Sequence, residues 1–161
     1  MEIERKFLIK DLNALPFHPE DYPHRELEQG YLCTEPVVRI RKDADQYFLT
    51  YKSKGLMIRE EYNLPLTEDG YLHLKEKIDG RLITKTRYVI PLAELEADIF
   101  SDALYLELDL FHGDLAPLVL AEIEFPDETS ATSYCPPEWL DEEVTNSSRY
   151  HNSTLSATFP K

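Results

Sequence analysis

Charged residues two positions apart recur along this chain at a spacing that can do chemistry. Glu2, Glu4 and Lys6 open the series, and Arg39/Arg41, Lys52/Lys54, Arg59/Glu61, Lys85/Arg87, Glu107/Asp109 and Glu122/Glu124 continue it. In an extended strand successive side chains point to opposite faces, so each pair shares one face. Rows of Lys and Arg bind oxyanions through charge-assisted hydrogen bonds. Rows of carboxylates are hard oxygen ligands, which select Mg²⁺ or Mn²⁺. Both kinds of row on one surface suit a compact oligophosphate bridged to divalent metal, and two-metal sites are a common solution for phosphoryl chemistry.

The residues between the charges decide where that surface lies. Val38 and Ile40, Leu49 and Tyr51, Tyr62 and Leu64, Tyr88 and Ile90, Leu106 to Leu110 in alternation, and Ala121, Ile123 and Phe125 give the same strands an apolar face. One such strand alone reads as half-buried with a wet polar face. Seven together do not, because like charges repeated along a strand repel unless a ligand or ion compensates them. A sheet closed on itself with the charges inward resolves the conflict, leaving a polar tunnel and an apolar outside for helices to cover. The inward set is eight basic residues (Lys6, Arg39, Arg41, Lys52, Lys54, Arg59, Lys85, Arg87) and seven acidic ones (Glu2, Glu4, Glu61, Glu107, Asp109, Glu122, Glu124), close to neutral in a chain of net charge −14. That is a local polyanion site in a protein whose overall charge argues against nucleic-acid and anionic-membrane partners.

The elements that must position these residues follow from the breaks between them. Strands are expected near 25–33, 37–42, 46–54 and 58–64, with hairpin breaks at Thr34-Glu35-Pro36, Asp43-Ala44-Asp45 and Gly55. Thr67 caps an amphipathic helix running to Ile78 and stopping at Gly80. Strands resume at 82–90, 95–100, 104–111 and 118–125. Helical segments are expected over 127–134, from Pro137 onward, and over 150–155. Residues 11–23, with three prolines, read as an irregular crossing.

At 161 residues the chain reads as one domain spanning 1–161. Its charged first residues are unlike a signal peptide, and no run of about eighteen apolar residues is present, which gives the expectation of a soluble cytoplasmic protein with no membrane partner. Cys33 and Cys135 are too few for a disulfide framework and read as reduced thiols. The five histidines lack metal-ligand spacing and read as surface or packing residues.

Glu2-x-Glu4-x-Lys6 at the extreme N-terminus resembles the ExExK motif of the CYTH superfamily, the triphosphate tunnel metalloenzymes. The likeness continues through Gln29-Gly30-Tyr31-Leu32, Arg39-x-Arg41, Lys52-x-Lys54, Arg59-Glu60-Glu61, Lys85-x-Arg87-Tyr88, Glu107-x-Asp109-x-Phe111-x-Gly113, Ala121-Glu122-Ile123-Glu124, Trp139-Leu140, Glu143-Val144-Thr145 and Tyr150-x-Asn152. Leu106, where relatives often carry an aromatic, and Pro117, where glycine is common, depart from the pattern at packing or turn positions. The resemblance implies an α+β fold: an eight-stranded antiparallel closed β tunnel with a charged interior, covered outside by helices.

The resemblance also implies roles. Lys6, Arg39, Arg41, Lys52, Lys54, Lys85 and Arg87 would hold phosphate oxygens, with Arg59 a weaker member that could equally make an outward salt bridge. Glu2, Glu4, Glu107, Asp109, Glu122 and Glu124 would carry one or two Mg²⁺ or Mn²⁺ ions, and Glu61 would steady a basic neighbour or complete a metal shell. Glu4, Lys6 and Lys85 would stand closest to the chemistry. The expected activity is metal-dependent hydrolysis of a small-molecule triphosphate, inorganic tripolyphosphate first. The alternatives are a class IV adenylate cyclase, a thiamine triphosphatase and a non-catalytic polyphosphate binder. The apolar outward faces leave room for a homodimer.

Overall fold

Strands form where polar and apolar residues alternate. The computed structural model describes residues 1–99 and 103–157. Its strands are β1 (Glu2–Leu8), β2 (His24–Thr34), β3 (Val37–Asp43), β4 (Gln46–Lys52), β5 (Ile58–Arg59), β6 (Glu61–Leu66), β7 (Asp79–Pro91), β8 (Tyr105–Phe111), β9 (Val119–Glu124) and β10 (Glu142–Glu143). All pairings among them are antiparallel, in the order β10-β1-β9-β8-β7-β2-β3-β4-β6, with β5 also on β1.

Closure comes from one strand that serves both ends of this path. β5 and β6 are separated only by Glu60; β6 pairs with β4, while β5 sets Arg59 opposite Glu2 and Ile58 opposite Ile3. Counted as one broken strand, they complete eight walls with β1–β4 and β7–β9. The two-residue β10 is an addition, pairing with β1 at Phe7 and Leu8. The expected tunnel is therefore present, with one wall interrupted and one short extra strand.

Helices are shorter than the sequence pattern suggests. α1 (Glu68–Lys75) begins where Thr67 Oγ1 accepts from Gly70 N at 3.0 Å; α2 is Leu92–Leu95, α3 Glu128–Ser133 and α4 Asn152–Leu155. The strand expected over 95–100 is not seen: Pro91 ends β7, Leu92 is buried, and Glu96 to Ile99 form a turn, while Phe100 lies outside the described residues. The helix expected from Pro137 is a single turn, closed by Leu140 N donating to Pro137 O, because the chain must then extend as β10.

The apolar core lies outside the tunnel wall. Phe7, Leu106, Leu108, Ala121 and Ile123 are fully buried beneath α3 and the 11–23 crossing, whose Phe17 packs edge-on against Trp139 at 5.4 Å. Arg5, the outward member of the first strand, pins this layer by donating to the carbonyls of Ala131 and Tyr134 at 2.9 and 2.7 Å, which closes the C-terminal end of α3. This side of the barrel is sealed by packing, whereas the outward Tyr51, Tyr62 and Leu64 of β4 and β6 stay exposed.

Candidate active site

The tunnel encloses a chamber of about 180 Å³ whose lining is almost wholly polar. Its basic lining residues are Lys6, Arg25, Arg39, Arg41, Lys52, Arg59, Lys85 and Arg87; its acidic ones are Glu2, Glu4, Glu61, Glu107, Glu122 and Glu124. Thirteen of the fifteen residues expected to face inward line the chamber. The two that do not line it are Lys54 and Asp109.

Lys54 misses the chamber because β4 ends at Lys52. Beyond it Ser53 N donates to Glu60 O and Gly55 adopts φ +141°, so the alternation is broken. Lys54 is 85% exposed and pairs with Glu35 at 2.9 Å. Asp109 keeps the expected face but is fully buried behind two cations. Its carboxylate accepts from Arg87 Nε at 2.7 Å, from Arg87 Nη2 at 2.8 Å and meets Lys85 Nζ at 2.7 Å. Burial pushes the Asp109 carboxyl up, but Arg87 and Lys85 outweigh it and hold it below the usual range. It is an internal counter-ion rather than an open metal ligand.

The cations fall into two kinds. Arg87 is fully engaged, reaching Glu107 at 2.8 Å and Glu122 at 3.4 Å besides Asp109. Lys85 shares Asp109 with Arg87, yet burial outweighs that carboxylate and, with Arg87 nearby, pushes its ammonium down to about 8. Arg39 and Arg41, on β3, differ: among the described residues their Nε atoms, with Nε2 of neighbouring Gln29, are buried donors with no hydrogen-bond partner. Among the described residues Arg41 has a single ion-pair contact, Asp43 at 3.9 Å, and burial, then Arg39 and Arg87, push it down to about 10. Unpaired donors of this sort are costly, and they mark where an acceptor binds.

The acidic side is crowded in the same sense. Register sets Glu4 directly opposite Glu124 and Glu107 opposite Glu122, an arrangement of like charges that destabilises a bare sheet. Burial and then Glu122 push Glu4 up; burial and then Glu4 push Glu2 up to about 8. Glu122 goes the other way, because Lys6 at 3.4 Å and Arg87 overcome its burial. Lys52 sits between Glu2 at 2.9 Å and Glu61 at 3.2 Å. Among the described residues, no group of three Asp, Glu, His or Cys side chains already forms a metal-binding cluster. The donor set is nonetheless hard oxygen, held close and mutually repelling, which fits a divalent ion.

Several lining residues were not anticipated. Arg25, Gln29 and Tyr31 enter from β2, and His151, Asn152 and Ser153 from the C-terminal segment. Arg25, Gln29 and Tyr31 have the same period-two parity as the charged pairs, but Leu27 interrupts the row. His151 corrects the reading of all histidines as surface or packing residues: its ring meets Arg59 Nη2 at 3.1 Å inside the chamber. Arg59 accordingly faces inward. At the opposite end Arg25, Glu107 and Glu124 border an outer hollow that includes Val89 and Tyr105.

A closed antiparallel tunnel with a basic wall facing an acidic one is a CYTH architecture. The CYTH domain family model matches residues 1–151, and the chain belongs to that family. An inorganic triphosphatase from Nitrosomonas europaea is 37% identical over 167 aligned positions, covering 99% of each chain. Another from Acetivibrio thermocellus is 33% identical, covering 96% of this chain and 92% of the relative. A crystal structure of an inorganic triphosphatase, 35% identical, superposes with a TM-score of 0.68 and covers 100% of this chain and 97% of its own. Among the described residues no helix is long and apolar enough to cross a membrane.

Proposed function

We infer that this chain hydrolyses a triphosphate, inorganic tripolyphosphate in preference to a nucleotide, releasing diphosphate and phosphate. One observation carries the reading: Arg39, Arg41 and Gln29, each with a buried donor that has no partner among the described residues, line a chamber of about 180 Å³. Donors without acceptors call for an oxyanion. The chamber's lining is charged, unlike the mainly apolar pockets that hold larger organic ligands, which favours an oligophosphate over a nucleoside inside it.

The residues divide the work. Arg39 and Arg41 hold phosphate oxygens, with Lys52 and Arg59 along the same chain. Arg87, fixed by Asp109, is aimed before substrate arrives and meets charge that develops on the phosphoryl oxygens without having to reorganise. Lys85 Nζ, with its pKa near 8, can give or hold a proton at neutral pH. Glu2, Glu4, Glu122 and Glu124 would hold Mg²⁺ or Mn²⁺, supported by their crowding and raised protonation at Glu2 and Glu4. When bound, such an ion supplies charge neutralisation and an activated water. Free Cys33 and Cys135 accord with a reducing, cytoplasmic setting.

The test is to incubate the protein with tripolyphosphate, ATP or thiamine triphosphate, each with Mg²⁺, Mn²⁺ or EDTA, and to assay phosphate, diphosphate and cyclic AMP. Metal-dependent phosphate release from tripolyphosphate is expected. Cyclic AMP as the main product, or full activity in EDTA, overturns the reading.

A further inference from the structure

At its C-terminal-segment end the chamber adjoins a second hollow of about 260 Å³, and Val37, Lys52, Arg59, His151 and Ser153 line both. Two of these shared residues touch each other. Arg59 from β5 approaches His151 with Nη2 3.1 Å from Nδ1. The same Nη2 lies 3.4 Å from Nε2; a guanidinium can only donate, so the imidazole is the acceptor, through a ring nitrogen that carries no proton. Burial first, and then Arg59, Lys6 and Lys52 against Glu122, push the His151 pKa down to about 4, so the accepting form holds through neutral pH.

His151 cannot easily recede. The segment that carries it is tied on both sides: Lys6 Nζ donates to Tyr150 O at 3.3 Å, while Arg81 N and Nε donate to Ser156 O and Ala157 O at 2.6 and 3.1 Å. Tyr150 and Leu155 pack on the cluster of Tyr31, Ile83 and Val144. The imidazole is thereby a fixed acceptor, and Arg59 is held against it.

We propose that the Arg59–His151 pair sets the chain length of the substrate, by closing the chamber behind three phosphates and barring longer linear polyphosphate from the outer hollow. Arg59 faces the end of the phosphate chain as a cation; His151 is the positioning residue that keeps it across the passage. A fourth phosphate extending past Arg59 would enter the outer hollow, and would have to displace the pair. This rests on the chamber being the triphosphate site, and it adds a residue outside the recognised row of charges.

The experiment compares kcat/KM for tripolyphosphate and tetrapolyphosphate. His151→Ala should raise the tetra-to-tri ratio roughly tenfold, the discrimination available to one packing and hydrogen-bonding contact. His151→Gln, which retains an acceptor for Arg59, should keep the wild-type ratio. A purely structural role would lower both rates together and leave the ratio alone. An unchanged ratio in folded His151→Ala, or in His151→Ser should the alanine variant not fold, overturns the proposal, as does a His151→Gln ratio as high as that of alanine. If the wild type cleaves neither compound, the proposed hydrolysis fails by itself. Calorimetric binding of the two phosphates to the same metal-free variants then reads the same ratio and decides chain-length selection separately.

Discussion

Two walls of the tunnel carry the same device and use it differently. β3 presents Arg39 and Arg41, and β7 presents Lys85 and Arg87, each pair two residues apart and facing inward. On β7 the cations meet their counter-ion in the protein: register sets Arg87 opposite Asp109, and the fork and carboxylate bind bidentately. On β3 the residues opposite Arg39 and Arg41 are Tyr31 and Gln29 on one side and Thr50 and Phe48 on the other, none of them charged. One wall is internally neutralised and stiff; the other stores an unmet demand for anions. The first keeps the tunnel's shape, and the second gives it a reason to bind.

Removing Asp109 should break this contrast most severely. Asp109→Ala leaves Arg87 and Lys85 as buried cations with no shared carboxylate, and losing one partner of a buried pair costs about 3–5 kcal/mol. The thermal midpoint should fall on the order of 10 °C, seen by calorimetry, with hydrolysis lost as well. A variant of wild-type stability would mean that the β7 wall is not held by this pair.

Arg39→Ala should show the opposite profile. It removes a buried cation whose Nε has no partner but whose charge Tyr31, Glu61 and Glu2 favour against its burial, so the midpoint should fall far less than for Asp109→Ala. Catalysis should suffer instead: kcat/KM for tripolyphosphate should drop by roughly 10²–10³, as for loss of one preorganised donor. A loss of stability without a loss of activity would reverse the assignment of the two walls.

The acidic side offers a smaller effect with a defined pH dependence. Burial and Glu4 push Glu2 from its ordinary 4.5 to about 8, and burial and Glu122 push Glu4 up. The folded state therefore binds protons more tightly than the unfolded chain at these groups. Their contribution is complete below about 4.5 and is lost as pH rises through about 8. Glu122 and Asp109, held low, contribute fully above the ordinary carboxylate range and stay flat over this window. The midpoint of EDTA-treated protein should thus decline by a few degrees between about pH 5 and pH 8, and the gain on adding Mg²⁺ should grow over the same interval. A midpoint independent of both pH and Mg²⁺ would show that the carboxylates are not crowded.

Period-two alternation made the inward face legible from sequence because a strand allows only two directions for a side chain. Register was not legible. Glu107 and Asp109 look equivalent along β8, and only the pairing of β7 with β8 shows that Asp109 meets Arg87 and is sealed while Glu107 remains at the mouth. His151 was hidden for a different reason: its partner Arg59 lies 92 residues away, and no local pattern connects a C-terminal turn to a strand that far back. Helix content was overestimated beyond Pro137, where pairing of Glu142 and Glu143 with β1 overrides the local preference for a helix.

The smallest effect is the sharpest check on where the alternation stops. Lys52 and Lys54 are indistinguishable by spacing, yet Lys52 is buried between Glu2 and Glu61 while Lys54 lies on the surface against Glu35. An exposed pair of this kind contributes little to stability. Lys54→Ala should therefore leave both the thermal midpoint and tripolyphosphate hydrolysis at wild-type values, while Lys52→Ala, made in parallel, should impair hydrolysis. If Lys54→Ala instead weakens tripolyphosphate binding, strand β4 must extend past Ser53 when substrate is bound. The turn at Gly55 would then be part of the site rather than its boundary.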